Sequence, residues 1–342
     1  MDMLLSLPVF GYFLAPGLTT YSTSLNVLFF YMTWSTLVLS HPPIKVEILG
    51  TLGIRIAFWL VPSIAFLLFD TIIPSLSVGI KHQGGSALPT RTGGTRVSRK
   101  GGRPEWYTVI GLSLFNICLG GAIQAGVEFL FTEVLNIRSA LKVTTTLPMP
   151  WGLAKDVVRG LLLREVFGYY IHRFILHPSS PTFISKLHAS YFHSITAPYS
   201  FAAHYDHPAS YLLFRFLPVY LPSILFRIHL LEYLVLLSIV TLEETLTTSG
   251  YTTVPGILLG GVARRQDLHS EGRGRGNFAP WGILDWIHGT SIGPDVMDDA
   301  KDEADKHHVK ERGSKALDNA KESGREGLRS WNGRRKSGKQ VQ

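Results

Sequence analysis

The chain has 342 residues, of which 46% are hydrophobic and 17% are charged, and its mean hydropathy is positive. Soluble domains carry about 25% charged residues, and here most charges lie between residues 81 and 104 or after residue 263. This composition favours an all-α integral membrane protein over a soluble helical protein with a large core. The net charge of +8 does not indicate a nucleic-acid-binding protein, because the basic residues flank apolar segments, as they do in membrane proteins.

The chain contains one cysteine, Cys118, which lies in an apolar run. A single cysteine excludes an intrachain disulfide and removes the sulfur ligands of a Cys/His zinc site. The N-terminus has Asp2 where a secretory signal peptide would have Lys or Arg, so we interpret it as uncleaved.

About four transmembrane helices are predicted, in chain order, from apolar segments of nearly spanning length. They lie at residues 24–39, 54–80, 107–130 and 153–171, and the second is interrupted by Pro62 and Pro74. A fifth apolar region, 211–242, contains Pro218, Pro222, Arg227 and His229. Neither half of this region reaches the ~20 residues that a full crossing requires. It therefore predicts a re-entrant or shallow helical hairpin.

The loop at residues 81–104 is rich in glycine and in Lys and Arg and has no acidic residue, which is typical of a flexible cytosolic loop. With this orientation, the fourth span returns to the cytosolic face at residue 171. A histidine-rich helical cap begins there. The polar segment from residue 295 predicts a disordered or loosely helical tail. We thus expect three regions: N-terminal membrane helices and the basic loop (1–106), a histidine-containing membrane domain (107–294) and the tail (295–342).

Six of the 13 histidines lie within 36 residues at the start of this cap. They are His172, His177, His188, His193, His204 and His207. Neutral imidazole is the common protein ligand of iron and zinc, so this density of histidines indicates a metal site.

The spacing of these histidines is not ideal for one helical face. His172 and His177 are five residues apart, which separates their side chains by about 140° on a regular helix. Pro178 is expected to end that helix and loosen its last turn. The pair His188 and His193 has the same spacing and therefore requires a bulge or a helix end.

Four segments, "HRFILH", "KLHASYFHSITAPYSFAAHYDHP", "LEETLTTSGY" and "GNFAPWGILDWIHGT", resemble the fatty acid hydroxylase / sterol desaturase superfamily over about residues 150–292. The resemblance implies a few membrane helices under a cytosolic histidine cap that holds two non-haem irons. It implies O₂-dependent hydroxylation or desaturation of a lipid, sterol-like or other apolar substrate in the endoplasmic reticulum. Electrons would come from a separate donor, such as cytochrome b5 and its reductase.

Two histidine boxes depart from the pattern of this superfamily. The second box usually reads H-x-x-H-H, whereas this chain has Phe192-His193. The third usually reads H-H-D-x-H-H, whereas "RRQDLHS" retains only Asp267 and His269 of that pattern. The resemblance leaves six expected metal ligands, with two further candidates. The six are His172, His177, His188, His193, His207 and His269, and the two are His204 and Asp267.

These donors predict one well-held iron, whereas a second iron would need His204, Asp267, Glu243 or Glu244. The resemblance favours two irons, and one iron is the alternative. The segment "RRQDLHSEGRGRGNF" is either a remodelled metal box or a basic glycine loop that touches lipid headgroups or phosphate. Two other functions stay open: a catalytically impaired relative that binds lipid or acts as a scaffold, and a zinc-dependent hydrolase, which the lack of H-E-x-x-H disfavours.

Overall fold

The computed structural model describes residues 21–90, 103–254 and 259–306, and all the secondary structure in these ranges is helical apart from two isolated β-bridges. The chain divides into two compact units, Met1–Gly293 and Pro294–Gln342. The all-α prediction is confirmed. Within the predicted tail, the described residues form a helix, and residues 307–342 lie outside the described ranges.

The helices, in chain order, are α1 (Tyr21–Ser40), α2 (Pro43–Arg55), α3 (Val61–Ile72), α4 (Pro74–Ile80), α5 (Trp106–Phe129), α6 (Pro150–Ile171), α7 (Phe183–Tyr191), α8 (Pro208–Tyr211), α9 (Leu217–Leu225), α10 (Leu230–Thr247), α11 (Leu259–Glu271), α12 (Ile283–His288) and α13 (Val296–Lys306). Single π-helical turns extend or join several of them, at Ile56–Leu60, Leu130–Val134, His172–Leu176 and Leu212–Phe216. Short 3₁₀ turns lie at Gly84–Ala87, Phe192–Ser194 and Ser200–His204.

Two π-turns explain why prolines expected to interrupt helices do not do so. Pro62 follows the π-turn Ile56–Leu60, and Pro218 follows the π-turn Leu212–Phe216. Proline lacks an N–H group and clashes with the carbonyl four residues earlier in a regular helix. The wider π-turn relieves this conflict, so the helix continues. Pro74, in contrast, begins a new helix after Ile73 leaves the helical conformation.

Within the described ranges, three helical stretches are long and apolar enough to cross a membrane: Pro43–Ile72, Trp106–Val134 and Pro208–Leu225. The second coincides with the predicted span 107–130. The first begins 11 residues before the predicted span 54–80 and ends at the break before Pro74. The third forms the first half of the region that was expected to be a helical hairpin, and its helical path continues through both prolines for 18 residues. A second helix, α10, follows after a short turn. α1 contains a shorter apolar segment, Leu28–Ser40.

α6, which corresponds to the predicted fourth span, buries the charged residues of its second half, whereas Lys155 and Arg159 in its first half reach the surface. Arg164 and Glu165 are buried, and the Arg164 guanidinium contacts Glu243 and Glu244 on α10 at 2.9 and 3.3 Å. Exposed apolar side chains repeat every four residues along the other face, at Val158, Leu162, Val166, Tyr170 and Phe174. Residues four apart lie on one helical face. That face therefore suits contact with lipid, and the fourth span stays a prediction.

α10 forms the centre of the bundle. Leu230, Leu236 and Val240 are fully buried in a cluster that includes Val157 of α6. Each such side chain contributes about 1.5–3 kcal/mol on burial. Gly160 lets the two helices approach, since a Cβ there would lie 2.5 Å from Leu236 Cδ2. This packing fixes α6 and hence the position of the histidines that follow it.

Candidate metal centre

Five histidines from three separate segments converge on one buried site. They are His172, His177, His188, His193 and His269. The ring centroids of His172 and His269 are 4.5 Å apart, and those of His188 and His193 are 5.0 Å apart. Ring nitrogens of His172, His177, His188 and His269 all lie within 4.8 Å of one another, which is the arrangement required to hold a metal ion.

A π-turn brings His172 and His177 together despite their spacing of five residues. The turn spans His172–Leu176, and the His177 N–H donates to the His172 carbonyl at 2.9 Å. An i→i+5 bond closes this wider turn, so residues five apart come close to the same face. The two ring centroids are 4.9 Å apart. The expected loosening before Pro178 therefore takes the form of a π-turn.

The end of α7 brings His188 and His193 together in a different way. α7 begins at a capping box formed by Thr182 and Ser185, and it ends at Tyr191 before the 3₁₀ turn Phe192–Ser194. This change of helix type turns His193 back toward His188, and their rings stand at 90°. Phe192 stacks on the His188 ring at 4.9 Å. Where the superfamily pattern has a histidine, this chain thus has an apolar ring that supports a neighbouring imidazole.

Hydrogen bonds orient three of the five rings so that each presents Nε2 to the site. His172 Nδ1 donates to the Phe278 carbonyl at 2.8 Å, and His269 Nδ1 donates to the Gly276 carbonyl at 2.7 Å. His188 Nδ1 lies 2.7 Å from Asp206 Oδ2. The Nε2 atoms of these three rings are buried and have no hydrogen-bond partner within the described part of the chain. Metal-bound histidines typically donate their other nitrogen in this way.

Burial favours the neutral form of four imidazoles of the cluster: His172, His177, His193 and His269. Burial, with a smaller effect of neighbouring histidines, lowers the pKa of His177 to about 2 and the pKa of His269 to about 4. The pKa values of His172 and His193 are lowered for the same two reasons. A neutral ring has a free lone pair, and a buried polar atom without a partner costs about 1–3 kcal/mol. A bound cation would remove that cost, so the donor set fits a metal ion.

A glycine-rich loop, residues 272–276, closes over the cluster. Besides receiving the His269 hydrogen bond at Gly276, it places Gly274 against His177. A Cβ on Gly274 would lie 2.1 Å from His177 Cε1, and Gly274 has φ of +81°. Only glycine suits such a conformation and such a close approach.

The structure places the other expected ligands outside the cluster. His207 Nδ1 accepts a hydrogen bond from the Ala209 N–H at 3.2 Å and caps α8. His204 packs against Trp59 and lies 3.4 Å from the Arg55 guanidinium. The Asp267 carboxylate accepts a hydrogen bond from Gln83 at 3.2 Å. The structure brings none of these three to the cluster.

Glu243 and Glu244, two of the four alternative donors for a second iron, contact arginines. Arg164 contacts both, and Arg215 contacts Glu244 at 3.1 Å. Across residues 21–90, 103–254 and 259–306, one group of three or more His, Cys, Asp or Glu side chains has metal-binding geometry, and it consists of His172, His177, His188 and His269. The donors therefore fit one metal ion.

The segment "RRQDLHS" lies in α11 and contributes only His269 to the cluster. Arg265 is buried, and its guanidinium donates to the Trp281 carbonyl at 2.9 Å. It therefore binds the loop before α12. The glycine stretch that follows lies against the histidine cluster through Gly274, which approaches His177, and through the Gly276 carbonyl, which accepts a hydrogen bond from His269.

Sequence reasoning did not find the groups that orient the imidazoles. The sequence could have indicated Asp206, because this residue lies between two histidines in "HYDHP". It could not have indicated the carbonyls of Gly276 and Phe278, since every residue has a backbone carbonyl. Their proximity to His269 and His172 arises only when the loop after α11 folds back.

An all-helical fold with apolar helices of spanning length and a buried cluster of oriented imidazoles is that of a membrane protein with histidines that could hold a metal ion. The family model described as fatty acid hydroxylase matches residues 157–290, which include all five clustered histidines. The matched part of the chain, residues 157–290, therefore belongs to the fatty acid hydroxylase superfamily, and it differs from the superfamily pattern in its depleted histidine boxes.

Curated relatives are distant. The chain is 24% identical over 187 residues to "Fatty acid hydroxylase ahd1" of Mycosarcoma maydis, which covers 55% of this chain and 46% of that protein. It is 29% identical over 131 residues to "Fatty acid hydroxylase domain-containing protein 2" of Homo sapiens, which covers 38% of this chain and 36% of that protein. The chain thus spans less than half the length of these relatives. No solved structure matches it.

Proposed function

We propose that the protein catalyses O₂-dependent hydroxylation or desaturation of a lipid, sterol-like or other apolar substrate at an iron held by His172, His177, His188, His193 and His269. The main support for this proposal is three buried Nε2 atoms that have no hydrogen-bond partner in the described part of the chain. A hydrogen bond from Nδ1 already orients each of these three rings. Membership of the fatty acid hydroxylase superfamily supports the reaction class.

Bound iron supplies activation of O₂, and the side chains around it hold the ligands and exclude water. Phe214 lies 4.1 Å from the His172 ring, and Phe278 lies 5.6 Å from the His177 ring. With Phe192, these rings surround the imidazoles with apolar surface. Such a lining suits a saturated carbon chain and keeps water from the reacting carbon.

The same proposal includes the surroundings of the enzyme. Electrons come from a separate donor such as cytochrome b5 and its reductase, and the membrane is the endoplasmic reticulum, with the cluster facing the cytosol. One contact supports this orientation: Gln83, from the start of the basic loop, donates to the carbonyl of Thr196, which follows the second histidine box. The start of the basic loop, at Gln83, and the second histidine box therefore lie at the same end of the bundle.

We further propose that the centre holds one iron. The second box has Phe192 in place of an imidazole, and the third box contributes only His269 to the cluster. His204, His207 and Asp267 have other partners. A second cation would therefore have to be held by the same five rings.

Metal content and spectroscopy test this proposal. We expect purified protein to contain one iron per chain and the ferric form to give the electron paramagnetic resonance signal of an isolated ion. We expect His188→Ala to weaken iron binding by more than about tenfold. His207→Asn is the matched control, because asparagine also caps helices, and it should retain the iron. Two coupled irons per chain, or equal losses in both variants, would contradict the assignment.

A catalytically impaired relative that binds lipid or acts as a scaffold is the second candidate, and the depletion of the third histidine box favours it. In that case, iron content stays near zero under conditions that load a relative with intact boxes. Iron at one per chain without any oxidised lipid product, when a competent electron donor is present, would also support this candidate.

A further inference from the structure

A cleft of about 750 Å³ lies at the end of the bundle away from the histidine cluster. Asn116 of α5 contacts the backbone of Asp206, which orients His188. Val134, where that helical stretch ends, lies 18 residues further along, or about 27 Å at 1.5 Å per residue. The cleft is formed beyond this point by residues of the stretch 131–140 together with Ile224 and Arg227. It is therefore separate from the proposed metal site.

Two arginines, Arg138 and Arg227, line this cleft. The Arg227 Nε donates a hydrogen bond to the Ser139 carbonyl at 3.1 Å, which orients the guanidinium group. Lys142 lies nearby, and two acidic residues adjoin the cleft: Glu133, within the stretch 131–140, and Glu128, whose carboxylate accepts a hydrogen bond from the Ala140 N–H at 2.9 Å. Glu128 is buried and bound to the backbone, so at the surface the three cations outnumber the one exposed carboxylate. This excess of positive charge favours an anionic ligand.

The backbone of the cleft is fixed in an unusual conformation. Asn136 and Arg227 are two of the four non-glycine residues that have positive φ in the described part of the chain, at 50° and 44°. Neighbouring hydrogen bonds hold both: the Ile137 N–H donates to the Phe131 carbonyl at 2.8 Å, and the Lys142 N–H donates to the Ile228 carbonyl at 2.9 Å. Strain of this kind persists only where the surroundings enforce it. The backbone that carries Arg138 and Arg227 is therefore already fixed in the absence of a ligand.

The remainder of the cleft is apolar and lies where two candidate membrane spans end. Phe131, Ile137 and Ile224 form walls beside the arginines. The spans Trp106–Val134 and Pro208–Leu225 end at its rim. Exposed apolar side chains surround it there: Val134, Leu135, Leu225 and Phe226. A ligand that matches both the charge and the apolar walls has an anionic head and a hydrocarbon chain.

We propose that this cleft binds the phosphate headgroup of an anionic phospholipid, with Arg138 and Arg227 as its ligands. The site is distinct from the proposed catalytic centre. Each guanidinium contributes charge-assisted hydrogen bonds to phosphate oxygens, and the acyl chains lie along the apolar walls and rim.

The test is native mass spectrometry of the full chain released from mixed vesicles of phosphatidylglycerol and phosphatidylcholine. We expect wild type to retain one phosphatidylglycerol selectively, and the double variant Arg138→Gln, Arg227→Asn to lose that selectivity by about tenfold or more. Asparagine at position 227 tolerates the positive φ. The matched control, Lys186→Gln with Arg275→Gln, removes two exposed positive charges elsewhere and should retain the lipid.

Folding of each variant is checked by its thermal unfolding in detergent, and a destabilised double variant is replaced by the single variant Arg138→Gln. Equal retention of both lipids by wild type would overturn the proposal. So would equal loss of selectivity in the control. Displacement of the lipid by millimolar inorganic phosphate would show that free phosphate is the ligand, which contradicts the requirement for an acyl chain.

Discussion

At the scale of single residues, the orientation of the imidazoles depends on the groups that accept hydrogen bonds from their Nδ1 atoms. Three rings donate Nδ1 to a carbonyl or a carboxylate, which determines the tautomer and directs Nε2 inward. The carboxylate is that of Asp206, whose second oxygen accepts the His207 N–H at 2.7 Å. The His207 backbone N–H thus helps to hold the Asp206 carboxylate in place, and the His207 ring caps α8.

Asp206→Asn is expected to weaken iron binding by about 10- to 100-fold, because the amide cannot supply the negative charge that supports the His188 tautomer. Isothermal titration of the purified protein with Fe²⁺ under anaerobic conditions measures this. His188→Ala should reduce iron affinity less in the Asp206→Asn background than in wild type, because both changes act on the same ligand. Full additivity of the two changes would show that Asp206 acts elsewhere.

Gly274→Ala is expected to reduce iron occupancy, because its methyl group would displace the His177 ring and because alanine disfavours φ of +81°. Gly260→Ala is the matched control, since a Cβ at Gly260 meets nothing within 4 Å. Metal analysis of both variants after identical loading makes the comparison. Equal iron content would mean that the loop 272–276 does not constrain the cluster.

At the scale of helices, non-standard turns solve two problems of the sequence. The π-turns before Pro62 and Pro218 let two apolar helices continue, and the π-turn at His172 aligns two ligands five residues apart. Buried charge presents a third problem within α6. The structure meets it by pairing Arg164 with two carboxylates on α10.

Arg164→Ala is expected to lower the free energy of unfolding by about 3–5 kcal/mol, because it leaves Glu243 and Glu244 buried with less compensating charge. Arg159→Ala, on the same helix, is the control. Its guanidinium pairs with Asp156 at 3.1 Å and is 39% exposed, so the loss should not exceed about 1 kcal/mol. Thermal unfolding of the two variants in the same detergent makes the comparison. Similar losses of stability in both would contradict a structural role for the buried contacts of Arg164 with Glu243 and Glu244.

At the scale of the whole molecule, the number of helices that cross the membrane depends on α6. Its charges exclude it from the stretches that qualify by length and composition, yet its exposed apolar side chains continue from Val158 to Tyr170. Arg164 pairs with α10, and Glu165 accepts hydrogen bonds from the backbone before α12. The other charges, on Lys155, Asp156 and Arg159, lie in the first half of the helix. Since the charges of its second half are buried and paired, we expect α6 to cross the membrane.

A nitroxide label at Leu162→Cys, in a Cys118→Ser background, is expected to be relaxed more strongly by O₂ than by a water-soluble nickel complex. Leu162 lies in the middle of the exposed apolar stripe, and O₂ concentrates in the bilayer core. A label at Lys186→Cys, on the exposed side of α7, should give the opposite ratio. A water-like ratio at position 162 in reconstituted protein would exclude α6 from the bilayer.

The sequence by itself determined the helical class, the apolar character of the chain and which segments hold the clustered histidines. These properties depend on composition and on local density, which are visible without a fold. It also indicated that spacings of five residues require irregular helix ends, because that conflict is a property of one helix alone.

Only the tertiary structure decided which imidazoles meet. His193 and His207 are equally plausible in the sequence, but the 3₁₀ turn after α7 directs the His193 ring to the cluster, whereas the His207 ring caps a helix. The structure also assigned Glu243 and Glu244 to arginines and presented Arg138 and Arg227 in one cleft. The physical reason is that ligation and charge pairing depend on distances of a few ångströms between segments far apart in the chain, and only packing sets those distances.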